Sequence, residues 1–254
     1  MKIAVCCKIV PDEEQIKVLP SRELSLEGVP AKISQYDLNA LEAGKKLAAE
    51  TAGKLVAVSV GSTAMLEPTK IRKDILSRGA DELKLVMADD HTFEDSLETA
   101  KALAAAVREL GDVDLVLCGT GSSDMYAQVV GIQVGALLGQ PTLNNVTAIA
   151  VEGDALKVER ALENSTETFE VPLPCVLSVS SEINTPAVPA MRDIMKAGKK
   201  PVGVLAPDLS GAAASSQTLE QKAPEQRERR MEIVEGDNEE AVDALVAFLK
   251  KEAL

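Results

Sequence analysis

The order of apolar runs and amphipathic segments constrains this chain more than any other feature of its sequence. Four short apolar runs, typical of buried strands, alternate with helical patterns over roughly the first 140 residues. The strand-like runs are Lys2–Cys7, Lys54–Val60, Leu83–Met87 and Val113–Cys118, and the helical patterns cover 37–50, 68–78, 97–110 and 127–138. Strands that alternate with helices predict crossover units, and therefore a parallel sheet with helices on both faces.

The pattern then changes, because four strand-like runs follow one another with no helix between them. They are Val146–Val151, Ala155–Arg160, Thr166–Val171 and Cys175–Ser180, and Gly153–Asp154 is a hairpin turn between the first two. This series predicts an antiparallel meander joined to the parallel sheet. The predicted fold class is therefore α/β, with a mostly parallel sheet and an antiparallel addition.

The C-terminal part of the sequence predicts an arm rather than a continuation of the sheet. Gly211–Ser216 has the composition of a flexible linker. Residues 239–252 have the pattern of an amphipathic helix, with Asn238 as its cap. Its apolar stripe consists of Val242, Leu245, Val246 and Leu249. We predict a domain over 1–204, followed by a linker and helical arm over 205–254, whose stripe packs on its own domain or on another chain.

Composition excludes several classes of function. Lys and Arg number 27 against 40 Asp and Glu, and a net charge of −13 argues against a nucleic-acid partner. The single histidine, His91, excludes a multi-His zinc site, so no metal site is predicted. His91 lies in a polar loop and is expected on the surface.

The cysteines and the hydropathy pattern favour a cytoplasmic protein. Cys6, Cys7, Cys118 and Cys175 contain no C-x-x-C spacing and are expected to be reduced. The first residues lack the pattern of a signal peptide. No apolar run approaches the roughly 20 residues of a spanning helix, so membrane insertion is not expected.

The loop Gly119–Asp124 follows the fourth predicted strand, at the edge where open α/β sheets bind ligands. Glycines, hydroxyl groups and a helix start suit a phosphate, although an ordinary turn would also have this composition. The loop is neither a P-loop nor a G-x-G-x-x-G motif. Lys8 and the segment Ser34–Asp37 are expected at the same edge. Lys8 would contact a phosphate or a cofactor carbonyl there, or be a solvated surface lysine.

The run Met191–Lys200 is a local inversion of charge, with four basic residues and one acidic residue. One interpretation is a docking patch for an acidic partner, with Met191, Ile194 and Met195 as apolar anchors and Lys196 beside them. The other is a solvated amphipathic turn.

Five segments in a characteristic order are spread along the chain: Met1–Asp12, Ser77–Asp81, Asp114–Gly119, Val171–Pro174 and Ile194–Pro201. Through these segments the chain resembles, over essentially its whole length, the beta subunit of electron transfer flavoproteins. Three more are most similar to the FixA-type branch, which includes subunits linked to carnitine reduction in enteric bacteria. These are Ala31–Ala40, Gly121–Gln128 and Gln226–Arg230.

The resemblance implies a Rossmann-like nucleotide-binding domain over 1–204 that pairs with an alpha subunit. The alpha subunit would hold most of the FAD, and this chain would bind AMP or a second FAD. A partner-recognition loop is implied at 185–200, with Met191 as its apolar anchor, and the arm would embrace the alpha subunit. The nucleotide contacts, to which we add Lys8, would be Cys6, Ser34, Gln35, Tyr36, Asp37, Val60, Thr120, Gly121, Ser122, Ser123, Asp124, Tyr126, Gln128 and Gly131.

Two departures from the family pattern leave AMP and a second FAD both open. The family's loop commonly reads Asp-Gly-Asp-Thr-Ala/Gly-Gln-Val-Gly. The corresponding segment Asp124–Gly131 lacks the second Asp and the Thr, and its Gln stands one place earlier. The family's Asn-Pro helix start is altered at Ser34–Gln35.

We therefore predict a redox carrier subunit rather than a catalyst with acid–base residues. Electrons would come from an acyl-CoA-type dehydrogenase or another flavoenzyme, reside on FAD and leave to a further flavoenzyme or redox acceptor. One alternative is a subunit of an electron-bifurcating complex that oxidises NADH. The other is a nucleotide-sensing module similar to universal stress proteins.

Overall fold

The computed structural model describes residues 1–225, 231 and 233–252. The strands are β1 (Lys2–Cys6), β2 (Ile9–Pro11), β3 (Lys17–Val18), β4 (Leu24–Ser25), β5 (Ala31–Ile33), β6 (Lys54–Gly61), β7 (Glu82–Met87), β8 (Leu115–Gly119), β9 (Thr142–Glu152), β10 (Ala155–Ala161), β11 (Thr166–Pro172), β12 (Cys175–Val179) and β13 (Val202–Leu205). The helices are α1 (Gln35–Glu50), α2 (Thr63–Leu66), α3 (Thr69–Ser77), α4 (Ser96–Leu110), α5 (Val130–Leu138), α6 (Met191–Ala197) and α7 (Glu239–Glu252).

Within the described residues, nine strands form one sheet in the order β11-β10-β9-β12-β8-β1-β6-β7-β13. All neighbours from β12 to β13 in this order pair in parallel. After β1 the chain adds β6 and β7 on one side, then crosses through α4 to add β8 on the other side. The direction in which strands are added to the sheet therefore reverses between β1 and β8. Open α/β sheets form a ligand crevice at such a reversal.

Helices cover both faces of the sheet, as the continuous apolar runs predict. On one face, α1 and α3 contribute to a core that contains Val5 and Leu117. On the other face, α4 and α5 contribute to a core that contains Cys6 and Cys118. Successive side chains of β1 and β8 therefore point into different cores. The predicted fold class is confirmed.

The antiparallel addition is a meander of three strands, β9, β10 and β11. The predicted fourth run, Cys175–Ser180, is not part of that meander. It forms β12, which is buried throughout and pairs in parallel with β8 and with the start of β9. Because β12 is covered on both faces, it has the continuous apolar sequence of a central strand.

Three other parts of the fold have no counterpart among the predicted elements. The chain after β1 forms two short antiparallel pairs, β2 with β5 and β3 with β4. Helix α6 lies within the basic run, and β13 pairs with β7 at the edge of the sheet. These elements are too short to show a hydrophobic period that would distinguish them from loops.

The C-terminal arm starts against the body of the protein. Ala212 is buried, and the Ser215 hydroxyl donates to the carboxylate of Asp95 at 3.0 Å. Further along, the Ala223 N–H donates to the carbonyl of Arg22 at 2.8 Å. The predicted linker Gly211–Ser216 is therefore held against the domain at Ala212 and Ser215, and the arm is held again beyond it at Ala223. The motif Gln226–Arg230 lies outside the described residues.

Helix α7 covers the predicted residues, and the Asn238 side chain accepts the Ala241 N–H at 2.9 Å. No residue of α7 is buried, and the four apolar residues of its stripe are all exposed. The stripe thus has no cover within the described part of the chain. None of the helices described here is long and apolar enough to cross a membrane.

Candidate functional site

A cleft opens at the carboxyl ends of β1, β6 and β8, beside the point where the winding of the sheet reverses. Its floor includes strand-end residues Cys6, Val60 and Cys118. Lys8 borders it on one side, and the segment 119–122 borders it on the other. An apolar floor with a few polar groups at the rim is the usual composition of a small-molecule site.

Asp37 joins the two sides of this cleft from the first turn of α1. Its carboxylate accepts the N–H of Lys8 at 2.7 Å and the N–H of Gly119 at 3.2 Å. Burial raises the pKa of Asp37 to about 7, although both N–H groups favour the charged form. The carboxyl group therefore holds the loops after β1 and β8 at a set distance and titrates near neutral pH.

Lys8 and Asp124 form an ion pair between the same two loops. The Lys8 Nζ lies 2.7 Å from the Asp124 carboxylate. Burial opposes ionisation of Asp124, but hydrogen bonds from Lys8 and Ser122 hold its pKa below the usual value. Because the Lys8 side chain is partly buried and lines the cleft, the interpretation as a purely solvated lysine does not apply.

The loop after β8 contains two non-glycine residues with a left-handed backbone. Tyr126 and Gln128 have φ angles of 46° and 60°. This left-handed conformation costs a non-glycine residue about 1–2 kcal/mol. The Tyr126 ring packs against Tyr36 with 5.1 Å between centroids, and a Cβ at Gly121 would lie 2.7 Å from the Tyr126 ring. The loop is therefore held in one shape by ring packing.

The loop after β8 also contains a buried hydroxyl group, that of Ser123. Its N–H donates to the hydroxyl of Ser34 at 3.2 Å. Its own hydroxyl oxygen is buried and has no hydrogen-bond partner among the described residues. Buried polar atoms are nearly always paired in folded proteins, so this one indicates a position for an additional polar group.

The third wall of the cleft comes from the loop after β7 and the start of α4, which we did not predict. Phe93, Glu94, Ser96 and Thr99 line the cleft there. Strand order could have indicated this wall, because the carboxyl end of β7 lies at the same edge of the sheet as the carboxyl ends of β1 and β8.

His91 supports this wall, so the expectation of a surface histidine is wrong. Its Nδ1 lies 2.8 Å from the carboxylate of Glu98, and its side chain is only 14% exposed. Its ring stacks on Phe93 with 5.4 Å between centroids. The carboxylate of Glu98 also accepts the Phe93 N–H at 3.0 Å. A partner on the following helix therefore allows the imidazole to be largely, though not fully, withdrawn from solvent.

The structure brings most of the predicted cofactor-binding residues to this site. Those that line the cleft are Cys6, Lys8, Asp37, Val60, Thr120, Gly121, Ser122 and Gln128. Those that support the lining are Ser34, Tyr36, Ser123, Asp124 and Tyr126. Gly131 is buried in α5, where a side chain would collide with the Ser178 hydroxyl, and Gln35 is exposed and does not line the cleft. The roles of all of these toward a ligand stay predictions.

Helix α6 displays the predicted docking residues on the surface. Met191, Ile194, Met195 and Lys196 are all exposed. The base of this helix is anchored by the Lys200 Nζ, which donates to the carbonyls of Leu76 and Ala80 at 2.9 and 2.6 Å. The apolar anchors therefore stand on a support that is fixed to the end of α3.

The fold and the cleft together define a doubly wound α/β protein with a cleft at its topological switch point, where proteins of this class bind ligands. Residues 24–210 match the family model described as electron transfer flavoprotein domain. Since this match spans well over half of the chain, the chain belongs to the electron transfer flavoprotein family. Members of this family bind flavin and typically work with other subunits of the family and with flavoenzymes.

The residues present in the cleft fit a nucleotide cofactor. The Lys8 ammonium group and the hydroxyls of Thr120 and Ser122 line the cleft, and these are donor groups that a phosphate requires. The floor, with Val60 and Leu103, is apolar and suits a ring. Because Lys8 is paired with Asp124, a phosphate in the cleft would share the Lys8 ammonium group with that carboxylate.

Proposed function

We propose that this chain is the beta subunit of a heterodimeric electron transfer flavoprotein, of the FixA-type branch. The observation that carries the proposal is the uncovered stripe of α7 at the end of an anchored arm. Covering a large aliphatic side chain stabilises a complex by about 1.5–3 kcal/mol. A helix with four such residues exposed is therefore expected to lie on a partner, and the family supplies an alpha subunit in that role.

The cleft is proposed to hold AMP or a second FAD, while most of the electron-carrying FAD is bound by the alpha subunit. Lys8, Thr120 and Ser122 would bind phosphate, and Cys6 and Val60 would line the ring. A bound flavin supplies the redox chemistry by accepting and releasing electrons. The chain's own residues bind and orient the cofactor, and Asp37 keeps the two binding loops at their spacing.

Helix α6 is proposed to dock an acyl-CoA-type dehydrogenase or another flavoenzyme. Its exposed Met191 and Met195 would insert into the partner, since methionine side chains adapt to irregular surfaces. The surrounding basic residues favour an acidic partner surface and would speed the encounter. Four buried, unpaired cysteines favour a reducing compartment, and we place the protein in the cytoplasm.

A second cavity favours the bifurcating, NADH-oxidising complex as the second candidate function. It adjoins the first cavity across Glu94 and is lined by Thr92, Asp95, Ser215 and Ser216. A ligand that reached both cavities would be longer than a mononucleotide, and FAD has that length.

Co-expression with the alpha subunit, followed by extraction and quantification of AMP and FAD, tests the proposal. One FAD and one AMP for each heterodimer would support the simple carrier, and two FADs would support the bifurcating complex. A chain that binds no alpha subunit, and purifies alone as a stable nucleotide-bound protein without flavin, would refute the proposal. That result would favour the nucleotide-sensing module.

A pair of lysine variants tests the cleft itself. We expect Lys8→Gln to weaken nucleotide binding by at least about tenfold, because a hydrogen bond to a charged group contributes about 1.5–3 kcal/mol. Lys157→Gln is the matched control, since Lys157 is an exposed lysine of β10, outside the cleft. Equal nucleotide content in the two variants would count against the cleft as the binding site.

A further inference from the structure

Two of the four cysteines lie side by side in the floor of the cleft. Val5 of β1 pairs with Leu117 of β8 in parallel register, so the next residues, Cys6 and Cys118, are also cross-strand neighbours. Both belong to the core beneath α4 and α5, and therefore point to the same face of the sheet. They are 6% and 5% exposed, and both line the cleft.

Because both side chains point to the same face of neighbouring strands, the two thiols lie close to each other. A hydrogen bond with Cys6, together with burial, raises the pKa of the Cys118 thiol well above its usual value. Cys7 belongs to the core on the opposite face, where its thiol faces the carbonyl of Val5 at 3.8 Å. Cys175 lies at the start of β12, beside Leu115 rather than beside Cys118. Cys6 and Cys118 are therefore the two cysteines that share one face of neighbouring strands.

We propose that Cys6 and Cys118 form an oxidisable dithiol site, in which a peroxide converts the two thiols to a cross-strand disulfide at the floor of the cleft. In the first step one thiol takes an oxygen atom from hydrogen peroxide, which forms a sulfenic acid and releases water. In the second step the other sulfur attacks the sulfenic sulfur, the S–S bond forms and the S–O bond breaks. A second water leaves, and the balance is two thiols and one peroxide to one disulfide and two waters.

The geometry allows this bond with a small movement. Neighbouring strands lie about 4.7–4.9 Å apart, within the roughly 4.4–6.8 Å between Cα atoms that disulfides accept. The Cβ atoms of a disulfide stand closer, at about 3.8 Å, so the strand ends must be drawn together. Cys6 is the last residue of β1, and Cys118 is the last but one of β8, so the chain can adjust there.

The chemistry of the pair predicts a slow and reversible reaction. The thiolate is the reactive form, and the raised pKa of Cys118 keeps this thiol protonated at neutral pH. A disulfide that draws two strands together is strained, and strained disulfides are easily reduced. The site would therefore respond to sustained exposure to peroxide and recover in the presence of a thiol reductant.

The test treats the full chain with hydrogen peroxide, denatures it, alkylates the remaining thiols and maps the tryptic peptides without reduction. Trypsin releases Cys6 and Cys7 together on Ile3–Lys8, so the decisive protein is Cys7→Ser, in which that peptide carries one cysteine. We expect a crosslink between this peptide and the one that carries Cys118, with loss of two hydrogen atoms. In the wild type the number of alkylated cysteines should fall from four to two.

Matched variants separate this pair from general oxidation. Cys175→Ser should form the same crosslink, whereas Cys6→Ser and Cys118→Ser should each form none. If either of the last two fails to fold, the map of Cys7→Ser decides alone. Recovery of Cys6 and Cys118 as separately alkylated or separately oxidised residues would overturn the proposal. Crosslinks from Cys6 to Cys175 as frequent as those to Cys118 would also overturn it.

Discussion

The ionisation of Asp37 can be tested by comparing the stability of the wild type with that of Asp37→Asn as a function of pH. Burial raises the pKa of this carboxyl from its ordinary 3.8 to about 7. Between these values the folded chain holds a proton on Asp37 and the unfolded chain does not. The free energy of unfolding must therefore fall as pH rises through this window, and the contribution of Asp37 is constant above it.

The size of the effect follows from the shift in pKa. Each unit of difference between the folded and unfolded pKa values corresponds to about 1.4 kcal/mol. A shift of about three units thus sets an upper limit of about 4 kcal/mol on the loss between the two pKa values. Asp37→Asn stays neutral at every pH and can accept only one of the N–H groups of Lys8 and Gly119. It therefore carries a constant cost of about 1 kcal/mol and no slope from this position.

The assay is urea unfolding of both proteins at several values between about pH 5 and about pH 8. The difference in unfolding free energy between the wild type and Asp37→Asn isolates the contribution of Asp37, because the other groups titrate in both proteins. We expect this difference to decrease with rising pH. Titration of ¹³C-labelled aspartate carboxyls by NMR gives the pKa of Asp37 directly. The charged or titratable groups that act on Asp37 are Lys8, Asp124, Cys7 and Cys118. A difference that stays flat or increases with pH would refute the reasoning, because the two N–H donors would then outweigh burial.

Three further predictions concern docking, packing and the arm. Met191→Ala should leave folding and nucleotide content unchanged, because Met191 is 73% exposed, but should slow electron transfer from the dehydrogenase about 5- to 30-fold. Val18→Ala, which shortens an exposed apolar side chain of β3, is its control, and unchanged transfer kinetics in Met191→Ala would count against the docking patch. Gly44→Ala should lower the free energy of unfolding by about 1–2 kcal/mol, since the new Cβ would lie 2.8 Å from Leu55 and 2.9 Å from Val5. Urea unfolding measures this, and an equally stable variant would show that the contact between α1 and the sheet can relax. The isolated chain should be colourless or unstable, because α7 lacks a cover, and a stable yellow monomer with full flavin would contradict the need for a partner.

The parallel core was predictable because its signals are local. The apolar runs of β1, β6, β7 and β8 and the helices between them show their period within a few residues of sequence. The bounds of α7 were predictable for the same reason, since its cap and stripe are adjacent in sequence. The position of β12 was less predictable, because its sequence shows that it is buried on both faces but not which strands lie beside it.

The site was predictable only as an edge of the sheet. Strand order placed Lys8, Ser34–Asp37 and the loop after β8 together, because carboxyl ends of parallel strands meet there. The wall formed by Phe93 and Ser96 follows the same rule but has no recognisable motif. His91 was misjudged because the polar residues around it suggested a surface loop, whereas Glu98 provides a buried partner.

What the sequence determined by itself was a doubly covered α/β sheet, an acidic chain with an aliphatic core, and a capped helix with an apolar stripe. Only the tertiary structure decided which distant groups meet. Asp37 bonds Lys8 and Gly119 across 29 and 82 residues of sequence, and Cys6 meets Cys118 only through the pairing of β1 with β8. Hydrophobic period and capping act between near neighbours in the chain, but these contacts depend on strand order and register, which no local pattern records.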